Sequence, residues 1–168
     1  MMKKVFSISI AAIIVLISGQ SLGQKAIDKF GDWTAFYDGS GKKRSCYIAS
    51  LPQKQSGKYK SRGATGITVT HRMQQNTKNI IEIRAGYTYR KDSEVEIKID
   101  GKPFLLFTNS DSAWAYDKED SKIVRSMVRG KSMIVTGFSS RGTKTVDTYS
   151  LLGFTQAHRS IGKSCGLK

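Results

Sequence analysis

Histidine, cysteine and proline each occur only twice in this 168-residue chain, and their scarcity excludes whole classes of chemistry. His71 and His158 lie far apart, which rules out a His-Glu-X-X-His zinc pattern. The two cysteines rule out a paired-cysteine metal site and a Cys-X-X-Cys redox pair. A Gly-X-Ser-X-Gly elbow and a phosphate-binding glycine-rich loop are missing too. A Ser-His-Asp site could use only His71 or His158; His71 with Asp147 and Ser139 is conceivable, but nothing in their local sequence supports it. Acidic residues are scarce as well, 13 against 28 Lys and Arg, for a formal net charge of +15. Asn109, Asp111, Asp117, Glu119 and Asp120 form the one acidic concentration. They lack the spacing of a calcium loop, and an acid-rich helix start accounts for them without a metal. No catalytic residue, metal or cofactor is expected.

Long apolar runs are also wanting. The main one, Val5 to Ile17, has 13 residues, short of the ~20 that span a bilayer. It follows Lys3 and Lys4 and precedes a stretch of small and polar residues, Ser18 to Gly23. That order predicts a bacterial Sec-type signal peptide over 1–23, cleaved before Gln24. No further apolar span follows, so the expected destination is the periplasm or the medium, with no transmembrane span after cleavage. The remaining residues, 24–168, predict a single domain, long enough to bury roughly 70% of its unfolded surface. Without Lys3 and Lys4 the balance is 26 basic to 13 acidic side chains, a net of +13. Such a surplus attracts anions: lipopolysaccharide, an acidic glycan or an acidic protein of the envelope or surface, with nucleic acid not expected. The plain alternative is a structural envelope protein whose charge serves solubility alone.

What is there begins with Phe30 to Pro52, FGDWTAFYDGSGKKRSCYIASLP. It reads as two strands, about Asp32 to Tyr37 and Arg44 to Leu51, joined by the turn-forming run Asp38-Gly39-Ser40-Gly41. Trp33 is expected in the core. Cys46, on the second strand, and Cys165, near the chain end, have no other partners, and in an oxidising compartment they predict a Cys46–Cys165 disulfide. Further strands follow from strict alternation at Ile67 to Met73, Ile81 to Tyr87 and Val95 to Ile99. Asp100-Gly101 signals a two-residue turn that pairs Ile99 with Lys102, Ile97 with Phe104 and Val95 with Leu106. Pro103 cannot donate to a ladder, so its nitrogen should face an open edge. Met133 to Ser139 and Thr145 to Leu151 make a last hairpin. Helical spacing predicts Lys118 to Arg129, ended by Gly130, and Leu152 to Ile161, ended by Gly162. The sum is a mainly all-β protein, an antiparallel β-sandwich of about eight strands with two short helices at its margin.

The candidate binding surface is assembled from scattered pieces. Gln53 to Gly63 carries Lys54, Lys58, Lys60 and Arg62 without an acid and reads as a mobile loop, with Tyr59 able to stack on a ring. Arg141 sits at the tip of the last hairpin. Trp114 either joins these residues as a recognition surface or plugs the end of the sandwich. His71 and His158 are read as core or boundary side chains.

Three stretches together resemble the bacterial invasion-associated locus B family: the opening hairpin, LLFTNSDSAWAYDKED, and VTGFSSRGTKTVDTYSLLGFTQAHRSI. The likeness runs from Phe30 to Cys165. Its most specific parts are the Trp33 motif, the turn Ser140-Arg141-Gly142-Thr143, and Ser150-Leu151-Leu152-Gly153-Phe154. The resemblance implies an exported, non-enzymatic β-sandwich protein, associated in some pathogens with invasion of host cells. Other members carry additional cysteines where this chain has Phe36 to Asp38 and Thr108 to Trp114, so it looks like a variant held by one long-range bridge.

Overall fold

The structure, a computed structural model, describes residues 24–167; the expected signal peptide, 1–23, lies outside them. Eleven strands form one antiparallel sheet in the order β1-β2-β3-β5-β6-β9-β8-β7-β10-β11-β4. They are β1 (Lys25–Phe30), β2 (Trp33–Asp38), β3 (Ser45–Ser50), β4 (Lys54–Gly57), β5 (Gly66–Arg72), β6 (Thr77–Arg84), β7 (Glu94–Ile99), β8 (Lys102–Asn109), β9 (Ser112–Ala115), β10 (Ser132–Phe138) and β11 (Lys144–Ser150). Two helices complete the fold, α1 (Asp120–Arg129) and α2 (Phe154–Ser164).

The sheet folds over on itself because the longer strands each bury one apolar face. Trp33, Ile48, Val69 and Ile83 from one half share a single core with Ile97, Leu106, Met133 and Tyr149 from the other. The halves are tied where β2 meets the end of β11: Trp33 donates its indole N–H to the Ser150 carbonyl at 3.0 Å, and the Asp32 amide donates to the Leu152 carbonyl at 3.0 Å. This is the expected sandwich architecture, with eleven strands rather than about eight. The three additional strands are β1, β4 and β9. β1 is an edge strand whose pairing slips between Ala26 and Asp28, β4 is exposed throughout, and β9 has four residues. None of the three shows the alternation that marks a half-buried strand. β4 also corrects the reading of 53–63 as a mobile loop, since Lys54–Gly57 pairs with β11.

Local chemistry sets the other boundaries. The β7–β8 register is the one expected, and both Asp100 and Gly101 take the positive φ such a turn needs. Pro103 lies in the part of β8 that β9 does not cover. α1 starts two residues later than its periodicity suggests, because Lys118 adopts a left-handed backbone. α2 starts after Gly153, at φ 89°, where a Cβ would sit 1.9 Å from the Phe30 carbonyl oxygen. Only glycine allows that approach. Phe154, Ala157 and Ile161 then face the core, with Phe154 edge-on to Trp33 at 4.9 Å. Cys165 follows α2 and bonds to Cys46 on β3 across 119 residues of chain. By loop entropy such a bridge stabilises by up to ~4–5 kcal/mol.

Candidate functional site

The cleft between the β4–β5 connection and the β10–β11 turn gathers most of the candidate residues. Its floor is built first, by a buried ion pair. Arg62 donates to both carboxylate oxygens of Asp147 at 2.6 Å and from Nε to the Ala85 carbonyl at 2.6 Å. Their side chains are 4% and 3% exposed. The guanidinium lies over the Tyr87 ring at 5.1 Å and near the Tyr59 ring at 5.7 Å. Burial by itself would lower the Arg62 pKa, but the hydrogen bonds and charge of Asp147 outweigh it and leave the group raised. For the Tyr87 phenol burial acts in the opposite direction and raises the pKa; its oxygen is 2.6 Å from the Thr145 hydroxyl. Gly137 makes room for this floor: a Cβ there would meet the Tyr89 ring at 2.8 Å and the Tyr87 oxygen at 3.1 Å.

Lys58, Tyr59, Lys60 and Ser61 form one wall, and Ser140, Arg141 and Thr143 form the other, around a volume of about 490 Å³. The second wall is rigidly held. Gly142 donates to the Ser139 carbonyl at 2.8 Å, Thr143 donates to the Ser139 hydroxyl at 3.1 Å, and Ser140 donates to the Thr88 carbonyl at 2.8 Å. A wider depression of about 750 Å³ on the far side of Lys58 and Arg141 adds Lys144. Neither depression has a carboxylate among its lining residues; the nearby Asp147 is paired with Arg62, which lines the first.

The structure therefore brings Lys58, Tyr59, Lys60, Arg62 and Arg141 to one place, although Arg62 serves as scaffold and not as a free cation. Lys54, on β4 opposite Thr148, is exposed but outside the cleft. Trp114 is elsewhere too: on β9 it faces Phe107 and Glu82, half-buried on the outer face of the sheet, neither beside Arg141 nor plugging the sandwich. Sequence reasoning missed Lys144, Tyr87 and Thr145. Of these only Lys144, next to the Arg141 turn, had a legible signal.

The histidines are tied to each other and not to the cleft. The Asn79 amide donates to His71 Nδ1 at 3.1 Å, and His158 Nε2 lies 2.8 Å from Asn79 Oδ1. The two rings stand edge to face at 5.3 Å. Burial, then the neighbouring His158, depresses His71 to about 4; burial also lowers His158. With His71 on Asn79, Asp147 on Arg62 and the Ser139 hydroxyl on Thr143, no Ser-His-Asp relay is assembled. The acid-rich segment is equally occupied. Asp120 accepts the Ile81 amide at 2.8 Å, and Glu119 pairs with Lys122 at 2.7 Å. Among the described residues no three His, Cys, Asp or Glu side chains converge as a metal site, and no helix is long and apolar enough to cross a membrane.

Comparison with known proteins adds identity to this geometry. No curated protein matches the chain. The crystal structure of invasion associated protein B from Bartonella henselae superposes with a TM-score of 0.56 at 13% sequence identity, covering 82% of this chain and 96% of the other. At that identity the likeness concerns the fold. The sequence model of the invasion associated locus B (IalB) protein family matches residues 33–162, from the core tryptophan of β2 to the last turns of α2. The chain belongs to the invasion associated locus B family.

Proposed function

We propose that this protein is an exported, non-catalytic binding protein of the bacterial envelope that engages an anionic partner through its basic surface. The observation that carries the reading is the convergence of Lys58, Lys60 and Arg141 around the Tyr59 ring, on a floor already neutralised by the Arg62–Asp147 pair. A ligand anion there would meet three cations with no competing carboxylate in the walls, and a ring able to stack on a flat or sugar-like group. Lipopolysaccharide, an acidic glycan and an acidic protein face all present that chemistry. Export accords with the family and with a disulfide, which persists in oxidising compartments. The relative named for invasion supports a role at the host surface for this chain only by family likeness.

The test is retention of residues 24–168 on immobilised heparin and on lipopolysaccharide, compared with the Lys58→Ala/Lys60→Ala/Arg141→Ala variant. The variant should elute at clearly lower salt than another variant that loses three lysines elsewhere, at Lys25, Lys29 and Lys163. Equal elution of the two variants would show that net charge alone holds the protein to the matrix. That outcome favours the structural envelope role.

A further inference from the structure

One exposed surface has the opposite character to the basic cleft. On the outer face of the sheet, Phe107 stacks on Trp114 with centroids 6.1 Å apart, and Tyr116 leans on Phe107 at 5.5 Å. Leu105, Phe107 and Tyr116 are 49%, 39% and 43% exposed, a contiguous apolar patch of the kind that marks an interaction site. Beside it runs a groove of about 590 Å³ lined by Pro103, Phe104, Leu105 and Tyr116 together with Glu94, Glu96 and Glu119. No lysine or arginine lines it, in a protein where basic residues outnumber acidic ones two to one. Tyr116 donates its hydroxyl to Glu94 at 2.7 Å and so fixes both side chains. Glu96 and Glu119 are held from outside the groove by Lys98 at 3.0 Å and Lys122 at 2.7 Å. These are exposed pairs of small net strength, which an incoming cation can replace.

The backbone adds a direction. β8 pairs with β7 from Lys102 to Phe107, but β9 covers it only from Leu106 to Asn109. Lys102–Leu105 thus has no strand neighbour on its second side, and an extended segment can lie along it. A two-fold contact between copies would set Glu94, Glu96 and Glu119 against the same residues of the partner, between molecules that already repel. The complementary occupant is cationic and chemically different from this face.

We propose that this groove docks an extended, lysine-rich segment of another polypeptide. Its apolar side chains lie over Leu105, Phe107 and Tyr116, and its ammonium groups meet Glu94, Glu96 and Glu119. The site is distinct from the basic cleft and selects the opposite charge.

The protein contains its own reporter. It has two tryptophans, Trp33 fully buried and Trp114 in the patch, so a ligand in the groove alters the fluorescence of Trp114. Titration with a short peptide alternating lysine and leucine, followed by fluorescence and by calorimetry, should give saturable binding. The same peptide with glutamate in place of lysine should not bind. The Glu94→Gln/Glu96→Gln/Glu119→Gln variant, which keeps the groove's shape and its hydrogen bond to Tyr116, should bind the lysine peptide about tenfold more weakly. Equal affinity for the glutamate peptide, or unchanged affinity in the variant, would overturn the proposal. So would a self-associated species in sedimentation equilibrium that the variant dissociates, because the occupant would then be a second copy.

Discussion

Arg62 counts as a cation in the sequence but acts as a scaffold in the structure. Its guanidinium is bidentate to Asp147, capped by the Ala85 carbonyl and covered by Tyr87. Removing one member of such a buried pair strands the other charge, so Asp147→Asn should destabilise the fold by about 3–5 kcal/mol. Chemical denaturation of Asp147→Asn against the Arg62→Met/Asp147→Leu double variant checks this, and the double variant should recover much of the loss. A second residue-scale expectation concerns His71. Its pKa in the folded protein, about 4, lies below the ordinary histidine value of 6.5, so the unfolded chain binds the proton more readily. Stability is therefore full above pH 6.5, falls as pH drops toward 4, and loses on the order of 3 kcal/mol by the lower limit. Thermal melts from pH 7 to 4 should show that loss in the native protein and a shallower one in His71→Gln.

At the level of elements, the start of α2 is the closest backbone approach among the described glycines. The family-specific stretch Ser150 to Phe154 ends β11 and turns at Gly153 against the Phe30 carbonyl. Gly153→Ala demands both a left-handed alanine and a displacement of the β1–β2 turn. A cost of at least about 1–3 kcal/mol follows, and a lowered melting temperature with Trp33 fluorescence shifted to the red is the expected reading. β4 shows the converse. Its four exposed residues contribute no core, yet by pairing with β11 they hold Lys58 to Ser61 across from the Arg141 turn. An edge strand with no hydrophobic pattern thus forms one wall of the cleft.

Across the whole molecule, charge is unevenly distributed. The clefts beside Lys58 and Arg141 have cationic walls, while the charged residues lining the aromatic groove under Tyr116 are all carboxylates. Salt therefore separates the two surfaces only by ligand sign: it should release both an anionic matrix and a lysine-rich peptide, each through its own residues. The folded-over sheet makes this separation possible, because β9 and β11 lie on opposite sides of the β8-β7-β10 strands in the strand order.

The sequence by itself determined the sandwich class, the β7–β8 register, the burial of Trp33 and the Cys46–Cys165 bridge. Each of these follows from a local rule: alternation at period two, a turn needing positive φ, a large apolar ring, or two cysteines with no other partner. It also held the family, in motifs whose most specific members, the Ser140–Thr143 turn and Gly153, mark places where the backbone allows few substitutes. Only the tertiary structure decided which cations remain free. Arg62 and Asp147 are 85 residues apart, and no local pattern announces that one cancels the other. The same holds for Trp114, whose neighbours Phe107 and Glu82 come from different strands. Charge and aromaticity are properties of residues, but a binding surface depends on which strands are adjacent, and strand order is decided by the closing of a shared core.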